Sequence, residues 1–335
     1  MTAAHPLPAA GFPAAPPAAP AAAPGQDASA PAYGSPAAAR GTEGPEPSAV
    51  EAVVRAALAE DLPWGDLTST ALIPPHTRAT AFLTAREPGV FCGGAVIEAA
   101  FRALDPQAEV LLLVKDGDRF DAGGLLAEVS GNARAVLGAE RVALNLVQRL
   151  SGIATLTAAF VAETAGTKAR IADTRKTTPG LRVLERWAVR CGGGSNHRFS
   201  LSDAVMAKDN HLALLAAAGG DLAPALRAAK ARLPHTVHFE VEVDRLDQIE
   251  EVLAGGADTV LLDNFTLEDL RRGVEQIAGR ALTEASGNVR LDTVRAIAET
   301  GVDIISAGAL THSVRALDLG LDVGFDDGGE PDARA

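Results

Sequence analysis

Hydrophobic positions along the chain fall into two stretches of different rhythm, set behind a long segment with no period at all. Val50, Val53, Val54, Ala57 and Leu58 recur at the spacing of one helical face, and Ser48 with Glu51 has the spacing of a capping box that would open that helix. The loop Asp61-Leu62-Pro63-Trp64-Gly65-Asp66 follows. Apolar and polar residues then alternate from Ala79 to Ala85, which predicts a half-buried strand. An apolar helix is predicted over 95–104, with strands near 110–114 and 125–129. Strands in runs, without a regular strand–helix beat, predict an α+β domain. A long apolar helix over about 137–165 leads out of it.

From Ile171 onward short apolar runs alternate with helical segments. Strands are predicted at 171–172, 204–207, 237–243, 259–262, 281–282 and 304–305. Helices are predicted near 221–232, 246–254, 266–277 and 290–299. Such repeats imply parallel strands joined by crossover helices, either doubly wound or closed as a barrel. The barrel is favoured because each run is followed by polar residues on what would be one face. These are Asp173-Thr174-Arg175-Lys176, Lys208-Asp209-Asn210-His211, Glu240 and Glu242, Asp263-Asn264, Glu284-Ala285-Ser286-Gly287-Asn288, and Ser306-Ala307-Gly308. Parallel barrels build their sites at the carboxyl ends of the strands. Any one of these residues is as easily a helix cap or loop polar; six clusters in succession, with Lys, Glu and Asp among them, are not. The small turns Ser286-Gly287-Asn288 and Ala307-Gly308-Ala309 suit backbone cradling of a phosphate.

Charge sharpens this picture. The 335-residue chain carries a formal net charge of −13, which argues against a nucleic-acid partner. Yet Arg175, Lys176, Arg182, Arg186, Arg190, His197, Arg198, Lys208 and His211 crowd one region. Arg186 and Arg190 read as the solvated face of a helix beginning near Leu181. Arg198, just past Gly192-Gly193-Gly194, does not. A local excess of cations in an acidic protein points to a small anionic substrate, since Arg forks grip carboxylates in two-pronged fashion. Glu242 and Asp263 oppose them and suit a hydroxylated sugar or Mg²⁺. No apolar run approaches the roughly 20 residues of a membrane span. Cys92 and Cys191 lack metal-ligand spacing and read as reduced thiols of a cytoplasmic protein. Residues 1–46, more than half Ala and Pro, read as a disordered tail without the features of a signal or transit peptide.

Several long motifs, in one order, carry a family resemblance over about 48–324. They are Asp173-Thr174-Arg175-Lys176-Thr177-Thr178-Pro179-Gly180-Leu181-Arg182, Gly192-Gly193-Gly194-Ser195-Asn196-His197-Arg198, Lys208-Asp209-Asn210-His211, Glu240-Val241-Glu242-Val243, Leu262-Asp263-Asn264-Phe265, Ala285-Ser286-Gly287-Asn288 and Gly308-Ala309-Leu310-Thr311-His312-Ser313. The chain resembles the quinolinate phosphoribosyltransferases. That resemblance implies an α/β protein: an incomplete parallel α/β barrel (151–312) with an N-terminal α+β sandwich domain (47–150) joined by a C-terminal segment (about 313–325). Tails would lie at 1–46 and 326–335.

The resemblance also implies the reaction, decarboxylating transfer of phosphoribose from phosphoribosyl pyrophosphate to quinolinate, giving nicotinate mononucleotide. By motif, Arg141, Thr174, Arg175, Lys176, His197 and Arg198 would bind quinolinate. Lys208 would lie between quinolinate and the sugar phosphate, and Glu242 and Asp263 would face the ribose hydroxyls and Mg²⁺. Ser286, Gly287, Asn288 and the Ala307, Gly308, Ala309 turn would hold the 5′-phosphate, with His312 alongside. Lys208, Glu242 and Asp263 are the expected catalytic groups. A cytoplasmic homodimer with shared sites is implied, its higher assembly left open, and no membrane partner. Two rivals are a relative that uses another pyridine acceptor, such as the homologue found with molybdate-transport systems, and a silent binding protein of the same fold. The Arg175-Lys176 and His197-Arg198 pairs favour the dicarboxylate, and Lys208, Glu242 and Asp263 argue against a silent protein.

Overall fold

The computed structural model describes residues 44–217, 219 and 221–324. The tails expected at 1–46 and 326–335 lie outside the described residues, save for 44–46. Helix α1 (Pro47–Asp61) opens differently from expectation. Glu46 is its N-cap, with no side-chain cap bond, and Pro47 sits in the first turn. Proline's missing N–H is no loss there, so it sets the start in place of the Ser48–Glu51 box. The face read from spacing does turn inward: Val50, Val54 and Leu58 are buried.

A short helix α2 (Leu67–Leu72) leads to strand β1 (Arg78–Ala85), followed by β2 (Gly89–Val90), α3 (Gly94–Leu104), β3 (Glu109–Leu112), β4 (Arg119–Phe120), β5 (Leu125–Asn132) and α4 (Ala133–Glu163). Strand β12 (Leu319–Gly324), the last described element, returns to this region. The sheet order is β12-β1-β5-β3, with β1 antiparallel to both neighbours. Its inward residues Leu83, Val129 and Leu321 meet Ile97 and Phe101 of α3 and Val147 of α4. Helix α4 is long and apolar enough to cross a membrane by length and composition, contrary to the expectation from apolar runs. Here it is a core helix, since most of its apolar stretch is buried among the elements around it.

The second sheet holds β6 (Arg170–Ala172), β7 (Val205–Ala207), β8 (Phe239–Val243), β9 (Thr259–Asp263), β10 (Leu282–Ser286) and β11 (Ile304–Ser306). Their order is β6-β11-β10-β9-β8-β7, all parallel. An isolated parallel bridge from Ala172 to Ser195 adds a partner on the free edge of β6. β6 and β7 do not pair, so the closure is incomplete. Between the strands run α5 (Arg182–Cys191), α6 (Asp209–Ala217), α7 (Leu222–Lys230), α8 (Ile249–Ala254, entered through a 3₁₀ turn at Leu246–Gln248), α9 (Leu267–Ile277), α10 (Val294–Ala298) and α11 (Ala309–His312). The strands read as near-continuous buried runs, as expected for a sheet covered on both faces.

Candidate functional site

Asp173, directly after β6, organises the basic side of the mouth. It is fully buried, and burial pushes its carboxyl above the usual range despite the facing Arg186. It accepts hydrogen bonds from the His197 amide (2.6 Å) and the Asn196 side chain (2.7 Å), with Arg186 at 3.7 Å. Arg186 also donates to the Arg198 carbonyl (3.1 Å), and burial lowers its own pKa. The expectation of a solvated Arg186 is therefore wrong: the residue braces the 195–199 loop. Arg190 is exposed and lies over the Trp187 ring, 4.8 Å from its centroid. Arg198 donates to the Ala204 carbonyl (2.9 Å), and burial together with the like charge of Arg175 lowers its pKa. Arg175 has a buried Nε with no hydrogen-bond partner among the described residues. Such a group costs free energy unless something binds it. Thr174 caps the same turn, its hydroxyl accepting from the Lys176 amide (3.1 Å).

His197 sits against two acids of the barrel strands. Its Nε2 lies 3.1 Å from Glu240 and 3.5 Å from Glu284, both buried, and its Nδ1 accepts the Arg198 amide at 2.7 Å. Burial opposes charging of the ring, but the two carboxylates outweigh it and push its pKa up to about 10. A cationic ring, however, would have to give up the Arg198 amide, because a protonated Nδ1 cannot accept. Only the neutral Nε2–H form keeps the Arg198 amide bond and the carboxylate contact together. Burial and Glu284 raise the pKa of Glu240.

Across the mouth, the Lys208 ammonium at the end of β7 pairs with Glu242 of β8. Glu242 and Asp263 line an open cleft together with Asp209, Asp244 and Asn264. Asn264 donates to Asp263 (2.7 Å) and accepts from Asn288 (3.1 Å), so the ends of β9 and β10 are linked. Asn264 and Asn288 take positive φ of 57° and 50°, which Asn tolerates. Gly287, at φ 95°, must be glycine: a Cβ there would collide with the Asn264 side chain. The Ser286 carbonyl accepts the Asn264 amide at 2.9 Å. At β11, the Ala307 amide donates to Ala172 (3.0 Å), and Gly308 precedes Ala309 at the start of α11. A Cβ on Gly308 would lie 2.8 Å from Lys176 and 3.0 Å from His312, so this turn brings Lys176 and His312 together.

Arg141 is not brought to these residues by any described contact. It is exposed on α4, beside Glu140 at 3.5 Å. Arg149, one residue that spacing did not single out, crosses from α4 to the mouth. It donates to Glu185 (2.8 Å), Thr178 (2.8 Å) and the Thr311 carbonyl (2.9 Å). Buried Glu185 accepts the Thr178 amide in turn (3.1 Å), so the 174–180 loop is fixed from two elements. Cys92 and Cys191, distant in sequence, are neighbours in space, not joined by a disulfide, and grouped with Asp116. Asp116 is already engaged by the Gly93 and Gly94 amides and Trp187.

Fold and site together define a class: a parallel α/β barrel whose strand-end mouth sets a cationic loop opposite a pair of carboxylates. The models of the quinolinate phosphoribosyl transferase N-terminal and C-terminal domains match residues 66–151 and 153–322, and the chain belongs to this family. The probable nicotinate-nucleotide pyrophosphorylase (carboxylating) of Bacillus subtilis is 44% identical over 264 residues, 79% of this chain and 90% of that protein. The Mycobacterium leprae nicotinate-nucleotide pyrophosphorylase (carboxylating) is 45% identical, covering 82% of this chain and 97% of its own. The solved nicotinate-nucleotide pyrophosphorylase of Francisella tularensis superposes with a TM-score of 0.77 at 39% identity, over 83% of this chain and 97% of that one.

Proposed function

We propose that this chain carries out the reaction of its relatives: quinolinate and phosphoribosyl pyrophosphate give nicotinate mononucleotide, CO₂ and pyrophosphate, a step of NAD biosynthesis. The observation that carries this is the separation of charge across one mouth. Arg175, Lys176 and Arg198 gather on the β6 side, Glu242 and Asp263 on the β8–β9 side, and Lys208 stands between them, paired with Glu242.

The dicarboxylate meets Arg175, Lys176 and Arg198, which satisfies the orphaned Arg175 nitrogen. Lys208 leaves Glu242 to bridge quinolinate and the sugar phosphate. The Ser286-Gly287-Asn288 and Ala307-Gly308-Ala309 turns take the 5′-phosphate, with His312 beside them. As pyrophosphate departs, positive charge grows on the ribose C1, and the fixed carboxylates of Glu242 and Asp263 stabilise it. The pyridine nitrogen attacks C1. The ring then carries a formal positive charge, and the C2 carboxylate leaves as CO₂, its bonding electrons stabilised by that charge before a proton takes its place. The site needs no general base; it supplies position and charge.

Glu242 and Asp263, beside Asp209 and Asp244, form an all-oxygen donor set that suits Mg²⁺, which would neutralise the pyrophosphate charge. The working form is a cytoplasmic homodimer. Trp64, Leu67 and Leu72 are exposed on the sandwich, and α6 buries none of its residues and leaves Leu214 exposed. A second copy would cover such surfaces.

The test supplies the purified chain with phosphoribosyl pyrophosphate, Mg²⁺ and quinolinate labelled in its 2-carboxylate, and follows nicotinate mononucleotide and labelled CO₂. Stoichiometric release of both is expected, with nicotinate a very poor acceptor, because it leaves cations unpaired. Comparable kcat/KM for nicotinate and quinolinate would overturn the dicarboxylate assignment.

A further inference from the structure

Glu240 and Glu284 stand one step deeper in their strands than the mouth residues Glu242 and Ser286, and on the same faces, since side chains two apart share a face. Both are nearly inaccessible, at 4% and 2% exposure, and each keeps one oxygen without a hydrogen-bond partner. β9 lies between their strands, yet their carboxylates converge, within 4.8 Å of each other and of a ring nitrogen of His197, which comes from the loop bridged to the free edge of β6. Its ring nitrogens both face groups of the protein: Nε2 lies 3.1 Å from Glu240 and, more loosely, 3.5 Å from Glu284, and Nδ1 accepts the Arg198 amide.

We infer that His197 is a positioning residue, anchored by Glu240 and Glu284, which fixes the backbone of Arg198 and thereby aims that guanidinium at the pyridine dicarboxylate. The inference deepens the proposed function and rests on it for the substrate. The peg works only as one tautomer. Nε2 must carry the proton to face the carboxylates, and Nδ1 must be bare to accept the amide. A ring that donated to substrate through Nδ1, an imidazolium, or a ring that ligated a metal through Nε2 would each need a proton on Nδ1. Each would release the Arg198 amide. The other groups facing this ring are Asp173, which holds its backbone amide, and His238, which burial keeps from charging.

Two measurements test this. The full chain is labelled with ¹⁵N-histidine, and the His197 signals are assigned by their loss in His197→Gln. The neutral Nε2–H tautomer is expected at pH 7; an imidazolium or an Nδ1–H ring overturns the inference, whatever reaction the protein performs. Steady-state kinetics then separate the roles. His197→Gln places an amide donor near Nε2 and keeps the anchor, whereas His197→Asn keeps only an acceptor for the Arg198 amide. The KM for quinolinate should rise about tenfold more in the Asn variant than in the Gln variant, with the KM for phosphoribosyl pyrophosphate nearly unchanged. In an Arg198→Ala background the two His197 variants should add little, because residues acting through one another are not additive. Equal losses in both variants, or full additivity with Arg198→Ala, would place His197 directly on the substrate. Melting curves screen out variants that fail to fold, and the tautomer is read on the wild-type protein. If quinolinate is not turned over at all, the functional reading fails while the tautomer result still stands.

Discussion

The two sheets handle polar residues in opposite ways. In the antiparallel sheet, burial alternates along β1, and the polar positions sit on the less buried face, where Thr80 and Ser130 pair through their hydroxyls at 2.7 Å. In the parallel sheet, β8 and β10 are buried almost throughout, yet each carries a buried glutamate. A one-sided sheet can give its polar residues to water. A two-sided sheet must place them at strand ends or supply a partner inside. A charged residue within such a strand therefore points to something built around it, here His197. By this division the proposed site belongs to the barrel.

The sharpest way to break that division is to ask whether the sandwich side also reaches a site. Arg141→Ala and Lys208→Ala are each expected to be nearly inactive. If Arg141 serves the partner's site, mixing the two variants and allowing subunit exchange creates hybrid dimers with one intact site. With random pairing about half the dimers are hybrid, and activity should recover to roughly a quarter of wild type. No recovery, with exchange verified by mass spectrometry, would leave Arg141 serving its own chain or none.

How much of this was legible in the sequence follows the same division. Alternation over 79–85 gave β1 almost to the residue, because a half-wet strand writes its orientation into period two. In the barrel, the strand read as 281–282 runs on to Ser286. Glu284 looked like a strand end because no local pattern shows that a histidine from a distant loop will meet it. Arg186 was misread as solvated for the same reason: helical spacing does not reveal that Asp173 and the Arg198 carbonyl lie beside it. The strand-end residues themselves were legible, since parallel strands covered on both faces can carry polar clusters so regularly only where they open onto a shared mouth. Arg149 was not, because it lies within an apolar helix whose spacing says nothing of the loop it touches.

A second, smaller test separates the two regions by stability. Leu83→Ala removes a buried side chain of β1 and should cost about 2–5 kcal/mol in denaturant unfolding. The KM values should be unchanged where the protein remains folded. A marked shift in the quinolinate KM would mean that sandwich packing is transmitted to the mouth.

The smallest effect concerns the Glu87–Arg315 pair, which ties the β1–β2 connection to the segment before β12. The Arg315 hydrogen bonds and the Asp318 amide hold Glu87 down to about 2, below its ordinary 4.5. Because the folded value is depressed, the pair contributes fully above pH 4.5, and that contribution is lost as pH falls toward 2. Glu87→Gln should flatten the acid limb of a melting-temperature profile in that window. At neutral pH the pair is solvent-screened, and the midpoint should fall by less than about 3 °C. An unchanged acid limb would show that the pair contributes nothing.

The return of β12 to β1 also bears on how the molecule is made. β1 leaves the ribosome long before its outer neighbour β12, which follows all the barrel elements in sequence. Until then β1 exposes an unpaired edge, open to pairing with another nascent chain. Contacts between such distant segments close slowly, because the loop entropy must be overcome before the pairing returns anything. The barrel segments, whose strands and helices lie close in sequence, can assemble while the sandwich waits for its final strand.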